Sequence, residues 1–352
     1  MLKPYSRKYG FQGMNNVLQE NNIEIGQIGK ANACFVVLTR SSELNEIRST
    51  MRQIEDRFNR KYNYPYVFLN DEPFTEEFKN FTKVMTKAKI EYGLVPKEHW
   101  SIPNHIDIEL ANERMRELED NGVPYGGALS YHHMCRNTKF TLAYDHALIR
   151  FYSGFFHHHE LINNYDYYWR LEPGVEYYCD IDFDPFIYMK ENDIKYGFTL
   201  VPPESLSTVP TLWSTMKEFM IKHPHLIEND TLLEYLTDDS GDYNLCQFQS
   251  NFEIADLSLW RGEAYTKFFN FLEEKGGFYY ERWGDAPVHT IATALFLKKH
   301  QVRFFEEIAY RHGSIANCPK GNKFRYKCLC NPDDSLEKYH KISKTEIYKD
   351  GL

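Results

Sequence analysis

Carboxylates follow directly on an aromatic, strand-like stretch between Tyr165 and Asp184. The aromatic residues lead into Glu172, and further acids follow at positions 176, 180, 182 and 184. Ligands of open α/β sheets bind at the carboxyl ends of the strands, where a carboxylate on the following loop can hold a divalent metal against a diphosphate. An ordinary acidic surface loop is the other interpretation, and this segment alone does not decide between them.

Two further segments place carboxylates among aromatic rings. Glu253 lies between Phe252 and Trp260, where burial would raise its pKa and suit it to act as an acid, base or nucleophile. It is equally consistent with a buried carboxylate bonded to backbone. Asp285 follows Trp283 by two residues, a pairing that suits a sugar pocket. Alternatively, Asp285 caps a helix.

Tyr131, Arg136 and His312 complete the set of candidate residues. Arg136 closes the segment from Gly126 that also carries Tyr131, and arginine is a good partner for a diphosphate. His312 is predicted on a loop after a strand. A lone histidine there is more often structural than a ligand.

Composition limits the possible partners. The chain has 352 residues, is 42% hydrophobic and 16% aromatic, and carries a net charge of −9. The negative charge argues against a nucleic-acid partner, which would need a basic face. It does not exclude a nucleotide, because a metal can offset the local repulsion. The tyrosine-rich composition suits carbohydrate binding, although most of these rings must fill the core.

The cysteines favour an oxidising compartment. There are seven of them, and N-x-S/T acceptors occur at Asn80 and Asn229. Cys318, Cys328 and Cys330 could form disulfides or bind zinc, but no clear fourth ligand accompanies them. The first twenty residues contain no apolar run that would serve as a secretory signal or membrane span. If the protein is lumenal, we expect this chain to lack its targeting segment.

The elements that must position these residues alternate between strand and helix. Apolar runs predict strands at Ala33–Arg40 and Tyr64–Asp71, and apolar spacings of three and four predict a helix at Ser42–Arg60 between them. This is a βαβ unit, which favours a parallel sheet. Later elements are strands at Tyr167–Leu171, Tyr196–Val201 and Val302–Glu306, and a helix at His289–Lys298 behind Pro287. One compact domain with long loops is the better interpretation.

Taken together, the segments resemble the fungal α-1,2-mannosyltransferase family, Golgi type II membrane enzymes that extend N- and O-linked mannans. The resemblance covers most of the span from Asn32 to Pro319, in the family's order. The matching stretches include GVPYGGALSYHHMCR, RFYSGFF, NYDYYWRLEPGVEYYCDIDFD, YNLCQFQSNFEIADLSLWR and GGFYYERWGDAPVHTIATALFL. The most specific of them are EPGVEYYCD and YERWGDAPVHT.

This resemblance implies a GT-A-type α/β fold, with a Rossmann-like mixed sheet flanked by helices. It also implies a GDP-mannose donor, Mn²⁺, transfer with retention of configuration, and mannose-terminated glycan acceptors on secretory glycoproteins. The expected location is the Golgi lumen, with an N-terminal membrane anchor absent from this chain. The expected organisation is a stem-like segment at 1–30, a catalytic domain at 31–318 and a cysteine-bearing tail packed on it at 319–352.

Site roles also follow from the resemblance. Glu172 and His312 match the metal ligands, and oxygen plus imidazole ligation suits Mn²⁺. Glu253 matches the carboxylate near the anomeric carbon, Tyr131 an active-site tyrosine, and Asp285 a sugar-contacting acid. The residues expected to line the GDP pocket are Thr39, Arg40 and Ser41, with Arg136 nearby. Glu253 would either form a covalent mannosyl intermediate or stabilise developing positive charge.

One segment departs from the family pattern. Residues 137–149 intervene between two stretches that are normally adjacent, which leaves open whether Arg136 or Arg150 occupies the family's arginine position. The insertion also leaves the acceptor specificity open. Besides the transferase, a metal-dependent hydrolase of nucleotide sugars or glycosides uses the same carboxylates. A catalytically silent subunit is disfavoured, because Glu172, Glu253 and His312 are all present.

Overall fold

A computed structural model describes residues 29–123 and 141–336, with the backbone alone described for 141–147. One compact unit begins at Asn32. The division into a stem-like segment, a catalytic domain and a tail stays a prediction. None of the helices in the described ranges combines the length and apolar character needed to cross a membrane.

The described strands build one large and one small sheet. They are β1 Ala33–Leu38, β2 Tyr66–Asn70, β3 Ile90–Leu94, β4 Tyr167–Arg170, β5 Glu176–Tyr177, β6 Tyr196–Phe198, β7 Ile254–Asp256, β8 Val302–Phe304, β9 Tyr310–His312 and β10 Ile315–Asn317. The large sheet has seven strands in the order β3-β2-β1-β4-β7-β6-β8, and the small one has the order β10-β9-β5.

Helices flank the large sheet. In the described residues, the α-helices of four or more residues are α1 Leu44–Ile54, α2 Glu76–Lys83, α3 Lys97–Trp100, α4 Ile108–Asp120, α5 Thr141–Gly154, α6 Pro185–Glu191, α7 Leu212–Lys222, α8 Leu257–Arg261, α9 Glu263–Lys275, α10 Gly277–Tyr280 and α11 Asp285–Phe296. Short 3-10 turns link several of them, including Ser41–Glu43 before α1 and Phe156–His158 after α5.

The predicted βαβ unit is confirmed. β1 and β2 are fully buried and pair in parallel, with Val36 opposite Val67. Helix α1 buries Ile47, Met51 and Ile54 on one face, and helical structure continues beyond it through a π turn and a last turn at residues 55–62. The apolar periodicity therefore located this helix correctly.

Several predicted elements have different bounds, including α11, β6 and β8. Helix α11 begins at Asp285, four residues earlier than predicted, because Pro287 is tolerated in a first helical turn whose N–H groups have no intrahelical partners. β6 and β8 each span three residues and end sooner than predicted. The sequence did not indicate β7, which pairs antiparallel with both β4 and β6 and makes the sheet mixed.

Two disulfides fix residues 318–330: one joins this segment to the chain after β5, and the other closes the segment on itself. Cys179, which follows β5, is bonded to Cys328, and Cys318 is bonded to Cys330. Of the two alternatives for the C-terminal cysteines, the disulfides are therefore the one present. Cys318 is also held by Ser335, whose hydroxyl accepts from its amide at 2.6 Å.

The two disulfides are expected to differ in their effect on stability. They close 149 and 12 residues of chain, respectively. Because loop-closure entropy grows with loop length, replacing Cys179 and Cys328 by alanine should lower the free energy of unfolding by roughly 5 kcal/mol, against roughly 3 kcal/mol for Cys318 and Cys330. Urea unfolding of both double variants measures this difference. Equal losses, or the reverse order, would contradict it.

A buried histidine is expected to make stability depend on pH. His157 is 2% exposed, and its Nδ1 has no hydrogen-bond partner among the described residues. Burial, with smaller contributions from His158, His289 and Arg261, holds its pKa well below the ordinary 6.5. Folding therefore favours the neutral ring. The resulting stability is present above pH 6.5 and is lost as the pH falls towards the lower folded-state pKa.

The His157→Gln variant should therefore show a flatter stability profile than the wild type between pH 7 and pH 5, because it removes the proton uptake that accompanies unfolding. Urea titrations across this range measure it. The exposed His225 supplies the control, since His225→Gln should leave the slope unchanged. An unchanged slope in the His157 variant would show that other groups cause the acid sensitivity.

Candidate active site

The carboxyl ends of β1 and β4 bring the first candidate residues to one edge of the sheet. The two strands are parallel, with Val36 opposite Arg170. Glu172 follows β4 by two residues, and Thr39 follows β1 directly. The loop after β4 is anchored because the Thr50 hydroxyl donates to the Glu172 carbonyl at 3.0 Å. This is the edge at which the sequence predicted a ligand site.

Glu172 and His312 lie together, with 3.7 Å between Oε2 of the glutamate and Nε2 of the imidazole. Their side chains are 17% and 39% exposed, so the pair is partly open to solvent. The prediction that His312 lies on a loop is wrong. It is the last residue of β9, whose pairing with β5 and β10 brings the ring to Glu172.

The surroundings of His312 fit a metal ligand. Its Nδ1 lies 3.3 Å from Nε2 of Gln249, while Oε1 of the same amide is buried without a partner in the described chain. Amide orientation is assigned from hydrogen bonding. If the Gln249 amide is turned over, its Oε1 accepts from the Nδ1–H of His312. The lone pair on Nε2 of His312 then faces Glu172. Such an acceptor behind a ligating histidine is the usual arrangement.

The donor set also fits Mn²⁺. Oxygen and imidazole donors suit this metal. Across residues 29–123 and 141–336, no three or more His, Cys, Asp or Glu residues converge into a metal cage. Glu172 and His312 would thus hold a metal from one side and leave positions for phosphate oxygens and water.

Arg170 joins Glu172 to Asp285. Its guanidinium donates to both carboxylates and lies over the Tyr152 ring, 3.5 Å from the ring centroid. Burial raises the pKa of Asp285, but Arg170, His289 and the Ser250 hydroxyl, which donates at 2.7 Å, outweigh it and hold that pKa below its ordinary value. Asp285, the first residue of α11, is therefore ionised, and Arg170 links it to Glu172.

Glu253 is enclosed. The side chain has no exposed surface, and its carboxylate accepts from Tyr168 at 2.7 Å and Tyr196 at 3.2 Å and lies 3.0 Å from Nδ1 of His289. The His289 ring stacks on Trp260 with 4.2 Å between centroids. Burial and the Glu253 charge raise the pKa of both tyrosines, which keeps them protonated as donors. Among the described residues, no backbone N–H bonds to either carboxylate oxygen, contrary to one of the two interpretations.

The residues predicted for the GDP pocket form an ordered turn after β1. Glu43 accepts from the Thr39 hydroxyl at 3.0 Å and from the Arg40 amide at 2.8 Å. The Ser41 hydroxyl accepts from the Thr75 amide at 3.2 Å. These contacts fix the backbone at the same sheet edge as Glu172, and the GDP-binding role stays a prediction.

Tyr131 and Arg136 fall outside the described residues. Arg150 is buried on α5 and paired with Glu273 at 2.6 Å, while its guanidinium lies over Phe155. Arg150 thus holds α5 to α9 in a structural ion pair.

The acids after Glu172 behave as the surface-loop interpretation expected. Glu176 accepts from the Tyr178 hydroxyl at 2.5 Å, and Asp180 pairs with Arg57 at 3.2 Å. The other two acids pair with Lys327 and cap α6, respectively. Only Glu172 in this segment belongs to the cluster around Arg170.

Trp283 does not face the site. It is 1% exposed and packs against Gly277, with its indole N–H donating to Glu281 at 2.5 Å. The prediction that its ring lines a sugar pocket beside Asp285 is wrong, because the ring fills the core under α10 instead.

Sequence reasoning missed Arg170, Tyr152 and Gln249. A signal for Arg170 was available, since an arginine inside an otherwise aromatic buried strand must find anionic partners. Tyr152 and Gln249 carried no comparable signal, because their roles depend on contacts between segments distant in sequence.

Comparisons with known proteins identify the family of this chain. A sequence profile of the family described as glycolipid 2-alpha-mannosyltransferase matches residues 9–351. Glycolipid 2-alpha-mannosyltransferase 2 of Candida albicans is 47% identical over 310 residues, which cover 87% of this chain and 64% of the relative's length. This chain thus spans only part of that relative.

Two solved structures share the fold. Core-mannan synthase A of Aspergillus fumigatus, in a Mn/GDP form, superposes with a TM-score of 0.77 at 39% identity, covering 88% of this chain and 83% of that chain. The mannosyltransferase Ktr4p of Saccharomyces cerevisiae, in complex with GDP, gives 0.80 at 35% identity, covering 93% and 88%. The predicted GT-A-type fold is confirmed, and this chain belongs to the glycolipid 2-alpha-mannosyltransferase family.

Proposed function

We propose that this chain is a retaining α-1,2-mannosyltransferase, which transfers mannose from GDP-mannose to mannose-terminated acceptors of N- or O-linked glycans. The observation that carries the proposal is the pairing of Glu172 with His312 beside the Arg170–Asp285 ion pair, in a chain of this family. The Mn/GDP form of core-mannan synthase A supports the same donor chemistry.

Glu172 and His312 hold Mn²⁺ in this proposal. The metal, when bound, neutralises charge on the departing diphosphate as a Lewis acid. Gln249 orients the imidazole, and Thr50 anchors the loop that carries Glu172. The turn at Thr39, Arg40 and Ser41 lines the GDP pocket at the same edge of the sheet, with Arg136 as a further diphosphate contact.

Asp285 and Glu253 serve the sugar. Asp285 is held ionised by Arg170 and binds a mannose hydroxyl. Of its two expected roles, Glu253 takes the one that stabilises developing positive charge without a covalent bond. Its carboxylate is fully enclosed and has three polar partners, so it presents a fixed charge and no open oxygen to the anomeric carbon. Fixed charges of this kind stabilise an oxocarbenium-like transition state at a distance. Tyr131 is proposed as the tyrosine nearest the reaction centre.

The Golgi lumen is the proposed location, with membrane attachment through an N-terminal anchor. The two disulfides support an oxidising compartment.

Separate assays of mannosyl transfer and GDP release test the proposal. With GDP-mannose, Mn²⁺ and α-methyl-mannoside, we expect GDP release to equal disaccharide formation, and EDTA to abolish both. Without acceptor, GDP release should be slow. Equal GDP release with and without acceptor would instead identify a nucleotide-sugar hydrolase, and activity that survives EDTA would refute the metal role.

A further inference from the structure

Arg170 contacts both halves of the proposed site. It is 2% exposed on β4, and its guanidinium donates to Oε1 of Glu172 and to Oδ2 of Asp285. Tyr152 packs against its face at 3.5 Å. These contacts hold the guanidinium in place, so its positive charge is a permanent part of the site.

The two oxygens of Glu172 face different partners. Oε1 accepts from Arg170, whereas Oε2 accepts from the Asn251 amide and faces Nε2 of His312 at 3.7 Å. A metal held by Glu172 and His312 would therefore share one carboxylate with an arginine. Two cations on a single carboxylate oppose each other, and in a partly buried site this repulsion is strong.

We propose that Arg170 lowers the affinity of the Glu172–His312 site for free Mn²⁺, so that tight metal binding requires the diphosphate of the donor. This inference rests on the proposed function of the same site. A diphosphate adds negative charge that offsets the guanidinium, and it supplies oxygen ligands for the open metal positions. Arg170 is thus a positioning residue that makes binding of the metal and of the nucleotide cooperative.

A purely structural role predicts the opposite sign. If Arg170 only oriented Glu172, removing it would leave the carboxylate misplaced, and Mn²⁺ would bind more weakly. The direction of the change in affinity therefore separates the two roles, whatever happens to the catalytic rate.

The experiment measures Mn²⁺ binding by isothermal titration and by the EPR signal of free Mn²⁺, without nucleotide and then with saturating GDP. Arg170→Met should bind free Mn²⁺ on the order of tenfold more tightly than the wild type, because one nearby positive charge is gone. With GDP, the difference should shrink to about threefold or less. The factor by which GDP tightens Mn²⁺ binding should therefore be smaller in Arg170→Met than in the wild type.

Two further variants keep the test decisive. Arg170→Met combined with Asp285→Asn removes one charge of each sign, so it restores the charge balance and serves if the single variant fails to fold. It should still bind free Mn²⁺ at least about threefold more tightly, because Glu172 is released from the arginine. Arg150→Met is the matched control, since Arg150 is another buried arginine that pairs with a glutamate and lies over an aromatic ring. It should leave Mn²⁺ affinity unchanged.

Unchanged or weaker binding of free Mn²⁺ by folded Arg170→Met, or by the double variant where the single one does not fold, would overturn the inference. Glu172→Ala separates this failure from that of the proposed function. If Glu172→Ala binds Mn²⁺ as well as the wild type does, the metal site itself is wrong.

Discussion

Replacing Glu172 by glutamine is expected to lower the rate of mannosyl transfer by about three orders of magnitude, or roughly 4 kcal/mol of transition-state stabilisation. Glutamine keeps the shape of the side chain but removes the negative charge that would bind the metal beside His312. It also leaves Arg170 with one carboxylate partner in place of two. The rate at saturating GDP-mannose, measured over a range of Mn²⁺ concentrations, is the relevant quantity.

Glu176 supplies the control for this variant. It lies four residues further on, and its carboxylate bonds to Tyr178 and Arg311, outside the Arg170 cluster. Glu176→Gln should therefore transfer mannose at the wild-type rate. A Glu172→Gln enzyme that keeps near wild-type activity at ordinary Mn²⁺ concentrations would remove this carboxylate from the metal site.

Replacing Glu253 by glutamine is expected to lower mannosyl transfer by at least about a hundredfold, the usual loss when one preorganised electrostatic group is removed. The amide carries no charge, and its NH₂ group meets donors where the carboxylate accepted from Tyr168, Tyr196 and His289. Stability should also fall, by about 1–3 kcal/mol, because a buried donor loses its partner. Transfer rates are to be expressed per folded molecule.

Glu55 is a matched control for burial. It is 3% exposed and accepts from the Tyr66 hydroxyl at 2.6 Å and from the Asn59 amide at 2.8 Å, within the helical region after α1. Glu55→Gln should lower stability by a similar amount and leave the rate per folded molecule intact. If both variants lose activity equally, Glu253 has no special electrostatic role.

Intact-mass spectrometry distinguishes the two routes open to Glu253. Incubation of the enzyme with GDP-mannose should give no mannosylated protein, because the carboxylate has no exposed surface. A mannose adduct mapped to Glu253 would establish the covalent route and require the surrounding tyrosines to move.

Local sequence patterns correctly predicted the elements whose burial is visible in the sequence, such as β1 and α1. The apolar run in β1 and the periodicity of α1 were sufficient because burial alone decides those segments. The segment that forms β7 was interpreted for its candidate catalytic residues. A strand of three residues is too short to show an alternation of apolar and polar side chains. Its antiparallel pairing with β4 depends on contacts between distant segments, which a local pattern does not contain.

The site was predicted only in part, because local patterns do not contain contacts between distant segments. Family motifs identified Glu172 and His312, and the structure brings them together. Their motifs did not reveal that Arg170 bridges to Asp285 or that Glu253 is closed off, because both facts arise from packing between β4, β7 and α11. The disulfide pairing was likewise unreadable, since several pairings of the cysteines fit the spacing equally well.

The most direct test of the central claim is the NMR spectrum of the first product formed from GDP-mannose and α-methyl-mannoside with Mn²⁺. Retaining α-1,2 transfer predicts a single disaccharide, with an α-configured new mannose joined to O2 of the acceptor. A β-linked disaccharide would contradict retention, another linkage position would contradict the α-1,2 assignment, and free mannose with GDP would contradict transfer itself.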